Sequence, residues 1–98
     1  MIQRIVKLAI KPSESEGDVF REIFAESKNL IAKQPGCHGV HLLESNKYFF
    51  TLSFWDSEAD LDVYRNSSLF KSVWPRTKEL FYDKPEAWTC QIVDKKEA

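Results

Sequence analysis

Between Lys47 and Phe70 the spacing of apolar residues changes from two to three and four within one short turn. Side chains of an extended chain alternate between two faces. Tyr48, Phe50, Leu52 and Phe54 therefore share one face, and Phe49, Thr51, Ser53 and Trp55 the other. The first set is wholly apolar or aromatic and is expected to face the core. The second is too polar for a dry interior and too apolar for open water, which suits contact with another subunit. Ser57 then opens the run S-E-A-D. There a hydroxyl can accept from the free amides of a helix start, with an acid three residues on. The rest of the chain has to accommodate a strand handed directly to a helix.

Before this stretch, Ile2, Arg4, Val6, Leu8 and Ile10 alternate with Gln3, Ile5, Lys7 and Ala9, a strand ending at Pro12. The first set is its core-facing side. Ser13 and Glu16 have capping-box spacing. Val19, Phe20, Ile23, Phe24, Leu30 and Ile31 recur at helical steps until Gln34-Pro35-Gly36. Cys37 to Glu44 reads as a second strand, and Ser45-Asn46 as the turn of a hairpin with the third. With an even loop, paired residues have numbers summing to 91. His41 then lies opposite Phe50 on the core face and His38 opposite Ser53 on the other; an odd loop reverses both.

After the short helix from Ser57, Asn66-Ser67-Ser68 offers a further cap, and Leu69, Phe70, Val73, Trp74, Thr77, Leu80 and Phe81 form a second helical stripe. Pro75 lies inside it and predicts a kink or a restart near Trp74. Ala87 to Val93 is the last strand, and residues 94–98 a polar tail. The order strand, helix, strand, strand, helical segment, strand is the split βαβ plan of an α+β, ferredoxin-like fold. It has a four-stranded antiparallel sheet with helices on one face. The other face would leave an apolar patch bare, and two subunits packed face to face are the simplest cover. The expected surface carries Lys7, Thr51 and Trp55.

The 98 residues suit one domain, with residues 1–93 as its ordered core. A net charge of −1 without a basic run argues against nucleic acid. No apolar stretch approaches membrane-spanning length, and Arg4 and Lys7 interrupt the apolar start, so a cytoplasmic protein is expected. The two cysteines, Cys37 and Cys90, make no metal pattern and read as small buried hydrophobes. They fall on strands expected at opposite edges of the sheet, beyond the reach of a disulfide. Three glycines leave little for a phosphate-binding loop.

QPGC at Gln34 to Cys37, FWDSEADLDVYRNSSLF at Phe54 to Phe70 and the terminal strand resemble the antibiotic biosynthesis monooxygenase (ABM) domain family. The likeness runs from Ile2 to about Val93. It implies a dimeric α+β barrel with a pocket between sheet and helices in each subunit. Characterised relatives oxidise quinols and anthrone-type aromatics with dioxygen, using neither flavin nor metal. Others degrade haem with an asparagine on the first strand and a tryptophan and a histidine on the helical segment. Those places fall near Val6, on Tyr64 and on Trp74, which do not match, so haem degradation is not expected.

Oxidation without a cofactor needs a substrate that can become an electron-rich anion. It also needs a dry aromatic pocket, a base, and a donor for the developing oxyanion. His41 as base and Tyr64 as donor or acceptor are the candidate catalytic residues. Arg4 can steady an anion, and Phe24, Phe50, Phe54, Phe70 and Trp74 can wall the pocket. His41, Tyr64 and Trp74 are expected to border one cavity. Each has a plainer reading: His41 and Trp74 as core, Tyr64 as a ring anchoring the short helix, and Arg4 as a residue reaching for water. The expectation is a homodimeric monooxygenase for a small aromatic or quinol and dioxygen, with no cofactor and no metal site. The alternative is a non-catalytic small-molecule-binding or regulatory dimer on the same fold.

Overall fold

The structure, a computed structural model, describes residues 1–97. The chain runs β1 (Ile2–Leu8), α1 (Ser15–Ala32), β2 (Cys37–Glu44), β3 (Phe49–Trp55), α2 (Glu58–Arg65), α3 (Ser68–Lys78) and β4 (Glu86–Gln91). The strands form one antiparallel sheet in the order β2-β3-β1-β4. This is the expected α+β, ferredoxin-like arrangement, and the sheet is open at β2 and β4 in the single chain. Cys37 and Cys90, on those opposite edges, are free thiols. Residues 94–97 carry no helix or strand; Ala98, the end of the expected tail, lies outside the described residues.

Three local signals in the sequence act as their chemistry demands. Ser57 caps α2 by accepting from the Asp60 N–H, and Ser67 caps α3 by accepting from the Phe70 N–H. Gly36 takes φ +81° to leave α1, and its carbonyl accepts from the Asp56 N–H at 2.8 Å. A side chain at Gly36 would collide with Asp60, so close approach of α2 adds to the left-handed backbone in requiring glycine there.

One expectation about helices is corrected, and a second, a kink or a restart near Trp74, loses its restart. Glu14 is the cap residue of α1 and makes no side-chain cap bond, so Ser13 and Glu16 form no capping box. The turn closed by the Glu14 N–H on the Lys11 carbonyl carries the chain past Ser13 before helical geometry begins. Glu16 and Asp18 in the first turn still complement the helix dipole. Further on, α3 runs as one helix through Pro75, with no restart at Trp74. The proline removes the bond to the Lys71 carbonyl, and Lys71 is exposed, so water can satisfy that carbonyl.

The main correction concerns the faces of β2 and β3. β1 turns Ile2, Arg4, Val6 and Leu8 toward the helices, as read. Its partners on β3 are Trp55, Ser53, Thr51 and Phe49 in that order. Phe49 and Trp55 are fully buried and sit at the two ends of the strand. Between them Thr51 and Ser53 are small, and Ser53 accepts from the buried Trp55 indole N–H at 2.9 Å. The mixed face is therefore the inner one: its bulk closes the ends and its hydroxyls sit in the middle. Phe50, Leu52 and Phe54 face outward, with Ile5 and Trp88 beside them. The hairpin loop spans residues 45–48, which moves the pairing to Glu44↔Phe49, Leu43↔Phe50 and His41↔Leu52. A β-bulge between Cys37 and Gly39 leaves His38 beside Asp56, with Nε2 and Oδ1 2.5 Å apart.

Two buried clusters hold the layers together. Ile2, Ile31, Trp55 and Leu61 close one end, and Leu8, Ile10, Phe20 and Phe49 the other. Arg21 pins α1 to the sheet, donating to Glu44 and to the Pro12 carbonyl above the Phe49 ring.

Candidate functional site

Between the two clusters the inner sheet face and the helices enclose a cavity of about 270 Å³. Its floor is Arg4, Val6 and Leu8 of β1, Thr51 and Ser53 of β3, and Val40 of β2. Phe20, Ile23, Phe24, Ser27 and Ile31 of α1 form one wall. Leu61, Tyr64 and Arg65 of α2 and Phe70, Val73, Trp74 and Thr77 of α3 form another, and Pro85 and Ala87 meet it beside β4. The volume lies just under the roughly 300–1,000 Å³ of small-molecule sites. The alternation of β3 makes this space, because Thr51 and Ser53 occupy the positions where larger side chains would fill it.

Tyr64, Phe70 and Trp74 of one wall belong to a continuous aromatic run that extends behind the lining to Trp55 and Phe81. Trp55 stacks on Tyr64 at 5.2 Å between ring centres, and Tyr64 meets the Phe70 ring edge-on at 5.4 Å. Phe70 stacks on Trp74 at 5.7 Å, and Trp74 meets Phe81 at 5.7 Å. The helical stripe of α3 and the tyrosine of α2 thus join into one surface, the kind on which a planar aromatic can lie.

The polar groups divide into satisfied and available. Ser27 donates to the Ile23 carbonyl at 2.8 Å and Thr77 to the Val73 carbonyl at 3.1 Å, both within their own helices. The Ser53 oxygen is taken by Trp55. Among the described residues, the hydroxyls of Thr51 and Tyr64 make no hydrogen bond to the protein, and neither does the Arg65 guanidinium. Arg4 donates from Nη1 to Thr89 Oγ1 at 2.8 Å, a bond across the β1–β4 pair.

Burial, helped by the nearby Cys37 thiol, pushes the Tyr64 phenol up to about 12. It is thus a proton donor at neutral pH, not a base. Burial also lowers the Arg4 guanidinium from its ordinary value. Arg65 adds to that lowering and Asp62 opposes it. Burial raises the Cys37 thiol, opposed in part by hydrogen bonding with the Gly39 backbone, so Cys37 is no thiolate nucleophile at neutral pH. Among the described residues, the lining contains no carboxylate and no imidazole. Among the described residues, no three of His, Cys, Asp and Glu gather as metal ligands would.

Of the residues singled out from sequence, the fold brings Arg4, Phe24, Tyr64, Phe70 and Trp74 to the cavity. It does not bring His41, Phe50 or Phe54, which share the outer sheet face. His41 is exposed there, with its ring against Phe54 at 6.0 Å. The expected cavity bordered by His41, Tyr64 and Trp74 therefore lacks His41, for the reason that reversed β3. Sequence reasoning overlooked Arg65 and Thr51. Arg65 lies four residues after the buried Leu61, hence on the same side of α2, and that spacing was a usable signal. Thr51 was hidden by the assignment of its face to the exterior.

A family model described as antibiotic biosynthesis monooxygenase matches residues 1–74, which includes most of the cavity lining. Solved structures share the fold. A candidate antibiotic biosynthesis monooxygenase from Bordetella bronchiseptica is 27% identical, over 94% of this chain and 96% of that one, with a TM-score of 0.79. A conserved protein from Methanosarcina mazei is 21% identical, over 90% of this chain and 88% of that one, with a TM-score of 0.82. Rv0793 from Mycobacterium tuberculosis is 16% identical, over 98% of each chain, with a TM-score of 0.86. The last two are similar in fold alone. No curated protein matches the chain.

Proposed function

The chain belongs to the antibiotic biosynthesis monooxygenase family, and from that membership we propose that its cavity takes a small electron-rich aromatic or quinol and oxidises it with dioxygen, without metal or flavin. The observation that carries this reading is the aromatic-walled cavity in which a protonated Tyr64 shares the lining with the Arg4 guanidinium.

Triplet dioxygen reacts poorly with closed-shell molecules, but an electron-rich anion can pass it one electron. With no carboxylate or imidazole in the lining, the anion comes from the substrate's own acidity. A half-buried guanidinium favours the ionised substrate more than water does, because the site is partly dry. The radical pair formed by electron transfer recombines into a carbon-bound peroxide. Tyr64 donates a hydrogen bond to the distal oxygen as it leaves. For an anthrone-type methylene, ionisation releases one C–H proton to water, the second C–H proton is lost as the O–O bond breaks, and the distal oxygen leaves with two protons as water, so that CH₂ plus O₂ gives C=O plus H₂O. Thr51 is a second hydroxyl on the sheet side of the same space.

The reading includes a homodimer. Ile5, Phe50, Leu52, Phe54 and Trp88 form an apolar outer sheet face, and a second copy of that face is its natural cover. This replaces the surface expected from sequence, since Thr51 and Trp55 point into the cavity side; Lys7 remains on the outer face.

Oxygen uptake by metal-free protein with a panel of quinols and anthrones tests the reaction. The expected result is one dioxygen consumed per substrate, unaffected by chelators, and slowed in Tyr64→Phe and Arg4→Gln. No uptake with any member of the panel, or uptake indifferent to both substitutions, removes the oxidative reading. The absence of an imidazole or carboxylate in the lining favours one alternative, a small-molecule-binding dimer without turnover. Tight binding of panel members with no uptake is its signature.

A further inference from the structure

We propose that the natural ligand of the cavity is a planar aromatic bearing a carboxylate, held at that group by Arg4 and Arg65 together. The inference rests on the reading of this cavity as the ligand site; turnover is not required.

Arg4 comes from the middle of β1 and Arg65 from the last turn of α2, and both line the same cavity. Among the described residues neither has a carboxylate within ion-pair distance, although Arg21 and Arg76 each do. Arg4 is half-buried and Arg65 exposed, and two cations beside one apolar space without an anion between them are mutually unfavourable. Burial lowers the Arg4 guanidinium from its ordinary value, Arg65 adds to that lowering, and Asp62 opposes it. An anion entering the cavity relieves the repulsion of both groups at once.

The donors left over fit a carboxylate. Arg4 uses one N–H on Thr89, and among the described residues Arg65 uses none. A guanidinium presents parallel N–H groups that match the two oxygens of a carboxylate. The rest of the lining is hydrocarbon and ring faces, with Tyr64, Phe70 and Trp74 on one side. A ligand complementary to this lining is amphiphilic, with a flat apolar body and one anionic end. The bland reading of Arg65, a cation completing the dipole at the end of α2, accounts for its charge but not for its place in the cavity lining.

The test compares 2-naphthoate with 2-naphthamide, nearly equal in shape and different in charge, by calorimetric titration of the intact protein at pH 7. The expected result is that naphthoate binds about tenfold or more tightly than the amide. Arg65→Gln should remove most of that advantage while moving the amide by less than about threefold, and Arg65→Lys should restore part of it. Arg65 is exposed at a helix end, so these variants should fold, and Arg4→Gln supplies an independent second arm. Equal binding of the two probes, no binding of either, or a carboxylate advantage that survives both Gln variants overturns the proposal. Oxygen uptake fails or succeeds separately. Quinol oxidation without a carboxylate preference sinks this inference alone, and a carboxylate preference without uptake sinks only the oxidative reading.

Discussion

Tyr64 has a ring fixed by Trp55 and Phe70 and a hydroxyl that, among the described residues, has no protein partner, so position and chemistry can be tested separately. Tyr64→Phe keeps the stack and removes the donor. Turnover of a confirmed substrate should fall about 10- to 100-fold, with the melting temperature within about two degrees of the parent. The phenol ionises in the unfolded chain near 10 and in the folded protein near 12. Between those values the folded state holds the proton more tightly, so this group's stabilising contribution is complete below pH 10 and is lost as pH rises toward 12. Ultraviolet titration of tyrosinate should show a late step near pH 12 that Tyr64→Phe abolishes. A late step that persists in the variant would reassign it to another tyrosine.

At the scale of elements, the caps and the turn into β2 separate sequence patterns that form from those that do not. Ser57→Ala and Ser67→Ala each remove a hydroxyl acceptor from a helix start and should cost about 1 kcal/mol in urea unfolding. Ser13→Ala should stay within about 0.5 kcal/mol of zero, since the capping box there is not formed. Gly36→Ala should cost more than any of the three, because it combines a left-handed backbone with a collision against Asp60. A neutral Gly36→Ala would mean that α2 can move away from this turn without loss.

For the whole molecule, the question is what covers the outer sheet face. Trp88 is 44% exposed there, beside Ile5, Leu52 and Phe54. Light scattering should give the mass of a dimer at micromolar concentration. Leu52→Arg, which places a charge in the middle of that face and far from the cavity lining, should shift the protein to monomer. A parent protein that is already monomeric would leave the face to some other partner.

Periodicity and turn chemistry in the sequence alone determined the order of elements, the ends of β2, the Ser57 cap, the Asn66-Ser67-Ser68 stretch that holds the next cap, and the antiparallel plan. These are local signals, each decided within a few residues. The same alternation that identified β3 could not say which of its faces was inner, because a strand with two semi-apolar faces satisfies either choice. Tertiary pairing decided it: Ile2 opposite Trp55 and Leu8 opposite Phe49 bury the two ends and turn Thr51 and Ser53 inward. That one choice opened the cavity, sent His41, Phe50 and Phe54 to the outside, and left Arg4, Tyr64 and Arg65 facing a common space. A cavity belongs to the gap between elements, and no element's own sequence contains it.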